Sequence, residues 1–216
     1  MNVNDIVFEK PEGDMLELIF KRQEELKEKY HHIEEKQDVG YGLLKGQKFD
    51  INTTLSQELI KNFAWRVVEE ITEAFDCNLV TEKHHLYEEL ADALHFLVEL
   101  ALITGITPDD ICEGSSKLPE AVSQDKLVRL CTVRHPDRID PYPPIHQLGL
   151  AMNCLKQKPW KQTHILTDTK KFKSHIIKAF HEFFKVFVKC GTNANAIFMF
   201  YFKKSEVNKF RQESNY

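Results

Sequence analysis

The chain has little of what disulfide-rich, membrane-spanning or nucleic-acid-binding proteins need. Its five cysteines, Cys77, Cys112, Cys131, Cys154 and Cys190, are odd in number, widely scattered and without a Cys-x-x-Cys pair. That excludes a disulfide framework or a cysteine zinc site and predicts reduced thiols in an intracellular compartment. No apolar run of about eighteen residues exists, so no membrane span is expected. The opening Met1-Asn2-Val3-Asn4-Asp5 lacks a basic segment followed by an apolar one, which predicts a soluble, unexported protein. Positive charge is not in excess either: a net charge of −4 offers no electrostatic footprint for nucleic acid. Strict strand alternation is scarce, whereas helical periodicity runs nearly throughout, so the expected fold is all-α. With 42% hydrophobic residues over 216 positions, the chain can bury one sizeable core, with or without a smaller appendage.

What the chain does have is two carboxylate pairs, Glu70 with Glu73 and Glu89 with Asp92, each at a spacing of three inside a helical pattern. That spacing puts each pair on one helix face, and the stretch from Asp76 to Lys83, with Asn78 and Thr81, reads as the turn between two antiparallel helices. The first helix carries an apolar stripe of Ile60, Phe63, Val67, Ile71, Ala74 and Phe75; the second carries Leu86, Leu90, Ala93, Leu97 and Ala101. Glu70 and Glu89 fall on these stripes and face inward. Unpaired carboxylates at a helix interface repel one another and resist desolvation unless they are protonated, paired or bound to a cation. Oxygen ligands without histidine or cysteine suit magnesium, with manganese possible, better than zinc. The plain alternative is two solvated acidic faces.

The C-terminal segment supplies a second pattern. Ile197, Tyr201, Lys204, Asn208 and Arg211 advance by four, three, four and three, so one helical stripe turns from apolar to cationic. Lysine brings a mobile charge and arginine a planar fork suited to phosphate oxygens. Near the N-terminus, Met15, Ile19, Leu26, Tyr30 and Ile33 form a stripe whose missing place is filled by Gln23, an amide able to donate and accept.

Glu-x-x-Glu followed by Glu-x-x-Asp, with His95 and Phe96 three and four after the aspartate, resembles the all-α nucleoside triphosphate pyrophosphohydrolases, which include the MazG proteins and the dimeric dUTPases. The ending Tyr201-Phe-Lys-Lys204-Ser-Glu-Val-Asn208-Lys-Phe-Arg211-Gln212-Glu-Ser-Asn215-Tyr216 is similar to the Tyr-x-x-Lys-x-x-x-Asn-x-x-Arg-Gln-x-x-Gly-Tyr terminus of dimeric dUTPases and phage dCTPase/dUTPases. Asn215 stands where that pattern has glycine, and asparagine tolerates a left-handed backbone well. Leu26 occupies a place where the family carries asparagine. The likeness covers about residues 14–35, 56–111 and 175–216.

The resemblance implies a helical bundle of the pyrophosphohydrolase type, built from residues 1–111 and 168–216. A Pro-rich helical insertion over 112–167 would be a lid or a peripheral elaboration. Within it, Glu120 to Val133 and Ile145 to Leu155 read as helices and His135 to Pro144 as loop, with Arg134, His135 and Arg138 as further phosphate candidates. Ser56 is the expected cap of the first acidic helix, and the second stops near Gly105, followed by a capped Thr107-Pro108-Asp109-Asp110 start. Phe172, Ile176, Phe180, Phe183 and Phe187 read as core. Gly191 to Ile197 echoes Gly105 to Ile111.

The activity implied is hydrolysis of dUTP, with dUDP as a further substrate, to dUMP and pyrophosphate, in the service of pool sanitation and dTTP precursor supply. Two or three magnesium ions sit on Glu70, Glu73, Glu89 and Asp92 in that scheme, with Glu70 as base and Glu73 as the other candidate. Lys204, Asn208, Arg211 and Tyr216 hold phosphate or sugar, and Gln23, His95 and Phe96 meet the base or ribose. Trp65 is expected in the core, and the chain past Phe210 has little apolar surface to anchor it. A homodimer comes only from the resemblance. A dCTP pyrophosphatase or a dual dCTPase/dUTPase remains open, because an amide pairs with either pyrimidine by flipping. A non-enzymatic helical nucleotide-binding or interaction protein is the reading from another class, and the intact quartet argues against it.

Overall fold

The computed structural model describes residues 6, 9–34, 36, 40–44, 46–77, 81–113, 124–132, 139–157, 160 and 164–213. Among them the chain is all-α, with helices α1 (Met15–Glu34), α2 (Thr54–Asp76), α3 (Lys83–Thr104), α4 (Pro108–Glu113), α5 (Lys126–Cys131), α6 (Tyr142–Cys154), α7 (Thr169–Lys189) and α8 (Ala194–Glu213), and a 3-10 turn at Gly40–Leu44. No described helix is long and apolar enough to cross a membrane.

Local chemistry sets the helix ends. Asp14 caps α1 by accepting from the Leu16 and Glu17 amides, and α1 then buries Met15, Leu16, Ile19, Phe20, Gln23 and Leu26. The stripe ends early, since Ile33 is exposed. The cap of α2 is Thr53, whose hydroxyl accepts from the Ser56 amide at 3.2 Å; Ser56, the expected cap, accepts instead from the Asp50 amide at 3.1 Å. A threonine three residues upstream competes for the same role, and periodicity does not separate the two. Gly105 closes α3 with φ of 65°, a left-handed cap that favours glycine. Thr107 and Asp110 then cap each other's backbone amides at the start of α4.

Helices α2 and α3 pair along their length, joined by residues 77–82, and α1, α7 and α8 close around α3. Every member of the Phe172, Ile176, Phe180, Phe183 and Phe187 stripe is buried. The described helices of the 112–167 segment share this core: Leu127 and Leu130 of α5 and Leu148, Ala151 and Cys154 of α6 belong to the same buried cluster. Helix α6 starts at Tyr142 rather than at Ile145, because Pro143 and Pro144 sit in its first turn, where proline has no amide to lose. The expected loop over 135–144 is therefore helical in its last three residues, while α5 starts after Asp125, and positions 120–123 and 133 of the helix expected over 120–133 lie outside the described residues. Residues Arg134, His135 and Arg138 lie outside the described residues, as do Asn78, Asn215 and Tyr216.

Helix α8 is held to α1 by the Arg22 guanidinium, which donates to the Ser205 hydroxyl at 2.9 Å and pairs with Glu206. Tyr201 is fully buried, and Val207 packs on Ile6. The C-terminal helix thus has an apolar anchor up to Val207, and Phe210 and Arg211 beyond it are exposed.

Candidate active site

Carboxylate oxygens of Glu70 and Glu73, from α2, and Glu89, from α3, all lie within 4.8 Å of one another. The spacing of three on α2 and the inward register of α3 produce this meeting, as the two stripes require. Asp92 is beside them, but its carboxylate is engaged by the Lys204 ammonium of α8 at 2.8 Å. Three members of the expected quartet thus meet, and the fourth, Asp92, is salt-bridged to Lys204. Glu89 also lies 3.1 Å from Nδ1 of His85, one turn upstream.

The electrostatics follow from the crowding. Burial, then the Asp92 charge, the hydrogen bond with Glu89 and the charges of Glu89 and Glu73 push the Glu70 carboxyl up to about 8. Such a group holds a proton at neutral pH unless a cation replaces it. The donor set therefore fits a hard divalent cation in its oxygen chemistry and in its demand for positive charge. Burial works against the charge on Lys204, but Asp92, Glu89 and Glu88 outweigh it and hold its pKa above the usual lysine value.

A cavity of about 390 Å³ opens beside the triad, lined in part by Glu70, Asp92, His95 and Phe96, by Asn208 and Arg211 from α8, and by Gln23 at its inner end. His95 is buried, stacks on Tyr201 with ring centroids 4.0 Å apart, and meets the Ala91 carbonyl through Nδ1 at 2.8 Å. A carbonyl only accepts, so Nδ1 carries the proton, and burial lowers the pKa of the ring and keeps it neutral. Nε2 is thereby a bare acceptor, and it has no hydrogen-bond partner among the described residues. Further in, Gln23 donates to Glu99 at 2.7 Å and accepts from the Tyr201 hydroxyl at 2.7 Å, and the Tyr41 hydroxyl donates to the other Glu99 oxygen.

A cavity lined by acids, two arginines, an asparagine and a buried amide suits a polyanion with a polar ring. The comparison with protein families agrees: the family model described as dUTPase matches residues 15–216. The chain belongs to the dUTPase family. No curated protein and no solved structure matches it. The family match makes the protein a dUTP diphosphatase that takes a nucleotide substrate, and members of this family use a divalent metal.

Of the residues singled out in the sequence, Gln23, Glu70, Asp92, His95, Phe96, Asn208 and Arg211 meet at this one cavity, and Glu73 and Glu89 complete the acidic cluster through Glu70. Lys204 is not among the lining residues and pairs with Asp92. Trp65 is not in the core as expected: it is 63% exposed and donates its indole N–H to Glu69. Sequence reasoning missed Glu99, Glu34, Tyr41 and Arg66, all on the cavity wall. Glu99 had a signal: it stands seven residues after Asp92, on the same helix face, alone in the apolar run Leu97-Val98-Glu99-Leu100. Tyr41 had none, standing in a five-residue turn between two glycines.

Three cavity acids have raised pKa values. Burial lifts Glu99 and Glu34 to about 7, beside Glu70 at about 8, against an ordinary 4.5. The folded state then binds more protons than the unfolded one, and stability falls as pH rises through these values. The histidines with lowered pKa act in the opposite direction, but their effect is half gone at about pH 6.5, fades by about pH 7.5 and is smaller than that of the three acids. The metal-free protein is expected to lose thermal stability between about pH 6.5 and 8, and magnesium should restore part of it at pH 8. Melting curves in chelator across this range check the expectation, and a melting temperature that climbs through it rules out burial of the acids.

Proposed function

We propose that the protein hydrolyses dUTP to dUMP and pyrophosphate in a magnesium-dependent reaction, and that it also takes dUDP. Supporting this reading above all is the convergence of Glu70, Glu73 and Glu89 beside a cavity that Asn208 and Arg211 also line. When bound, magnesium, or manganese in its place, neutralises phosphate charge and lowers the pKa of a coordinated water. Glu70, Glu73 and Glu89 are the residues to hold it, with Asp92 oriented by Lys204. Of the two candidate bases, Glu70 reaches the cavity and Glu73 is exposed outside it, which favours Glu70 as the acceptor of the water proton.

The remaining residues position the nucleotide. Arg211 and Asn208 meet the phosphates and sugar from α8, the arginine through paired N–H groups. His95 offers its Nε2 lone pair to a hydroxyl or N–H of the substrate, and Phe96 supplies an apolar wall for the ring. Gln23 meets the pyrimidine edge. The same reading takes the protein as a homodimer, on the resemblance alone.

Turnover of dUTP, dUDP, dCTP and dTTP, with magnesium, with manganese and with chelator, tests the proposal. The expected result is release of pyrophosphate and dUMP from dUTP and none with chelator. Preference for dCTP would replace the reading by a dCTP pyrophosphatase, and equal rates by a dual enzyme. Binding without turnover would leave a nucleotide-binding protein.

A further inference from the structure

At the inner end of the cavity the Gln23 amide has lost its freedom to turn. A carboxylate offers only acceptors, so the amide atom facing Glu99 at 2.7 Å is the NH2 group, and the Tyr201 hydroxyl closes the carbonyl side, also at 2.7 Å. Turning the amide over would set carbonyl oxygen against carboxylate oxygen where Gln23 is 4% and Glu99 3% exposed, a buried clash of acceptors. The Tyr41 hydroxyl holds the second Glu99 oxygen, which keeps the carboxylate from rotating away. Both amide atoms still have capacity, one N–H on Nε2 and one lone pair on Oε1.

Pyrimidine edges differ in order. Uracil presents N3–H beside O4, donor then acceptor; cytosine presents N3 beside N4–H2, acceptor then donor. An amide free to turn serves both, and a fixed one matches only one of them. We propose, building on the dUTP reading above, that Glu99 is the positioning residue for base selection: it fixes the Gln23 amide in a single orientation, and that orientation rejects cytosine.

The groups facing Glu99 are Gln23, Lys27 and Glu34 from α1, Tyr41 from the 3-10 turn and Tyr201 from α8. Burial and the Glu34 charge raise its pKa to about 7, while the Gln23 bond and Lys27 oppose them. A protonated Glu99 gains a donor and can face the amide oxygen, so the lock opens below that pH.

The test is kcat/KM for dUTP and dCTP with saturating magnesium at pH 8, for the wild type, Glu99→Gln and Tyr201→Phe. The glutamine can turn together with Gln23, and the phenylalanine keeps the ring on His95 but removes the hydroxyl. Each variant is expected to lower the dUTP to dCTP ratio by about tenfold or more, through relative gain on dCTP. The double variant should fall no further than Glu99→Gln, since both open one lock. The wild-type ratio should also fall from pH 8 to pH 6; titration of Glu70 acts on both substrates alike and cancels in the ratio. An unchanged ratio, an equal loss on both substrates, or a wild type that uses both equally at pH 8 overturns the proposal. If Glu99→Gln does not fold, Tyr201→Phe and the wild-type pH series decide. Should the wild type turn over neither nucleotide, the catalytic reading fails separately, and calorimetric binding of dUMP and dCMP to the wild type and Tyr201→Phe still reads the selection.

Discussion

Glu89→Gln is expected to leave the protein folded, raise the melting temperature of the metal-free form and lower magnesium-dependent turnover of dUTP by about three orders of magnitude, because a neutral amide is a far weaker ligand for a hard cation. The gain in stability comes from removing one charge of a crowded cluster in which Glu89 hydrogen-bonds Glu70. Asp92→Asn should lose turnover too, but with the opposite effect on stability. It leaves the Lys204 ammonium, whose side chain is 9% exposed, against a neutral amide. Loss of one partner from a buried ion pair costs about 3 to 5 kcal/mol. Calorimetric melting in chelator, beside kinetics in magnesium, separates the two variants. Near-normal turnover in Glu89→Gln would remove the metal assignment, and a stabilised Asp92→Asn would remove the structural role of Lys204.

That contrast marks where sequence and structure part. Periodicity placed Glu70 and Glu89 on inward stripes, and they do meet, because a helix face is a local property that spacing determines. What spacing cannot say is which side chain from a third helix arrives opposite. Lys204 lies on the same stripe as Asn208 and Arg211, and all three read as phosphate ligands. In the folded chain the α1–α8 contact through Arg22 and Ser205 sets α8 so that Lys204 falls beside Asp92 while Asn208 and Arg211 reach the cavity. The same limit explains Gln23. Its break in an apolar stripe was visible, but the partners that make it rigid, Glu99 and Tyr201, come from elsewhere in the chain. The helical fold itself was legible almost throughout. The misplaced ends, at Thr53 and Tyr142, are where a side-chain cap or a proline pair decides the boundary by a residue or three.

Two cuts on α8 are expected to divide its anchoring from its substrate contacts. Ending the chain after Lys203 removes Lys204 from Asp92, Ser205 from Arg22 and Val207 from Ile6, together with Asn208 and Arg211. This form should lose turnover entirely and melt well below the full chain, since it uncovers a charge, a hydrogen bond and an apolar contact at once. Ending it after Lys209 keeps Lys204, Ser205, Val207 and Asn208 and takes away the exposed Phe210 and Arg211. This form should melt close to the full chain, yet its kcat/KM for dUTP should fall by about 5- to 150-fold, the equivalent of about 1 to 3 kcal/mol for a lost charge-assisted contact. Arg211→Lys in the full chain should show part of that loss, because lysine keeps the charge and lacks the fork. If Arg211 holds the γ-phosphate, dUDP should suffer less than dUTP from either change; if it holds the β-phosphate, both should suffer alike. Full activity in the chain ending at Lys209 would take Arg211 out of the substrate site and leave Asn208 as the sole nucleotide contact from α8.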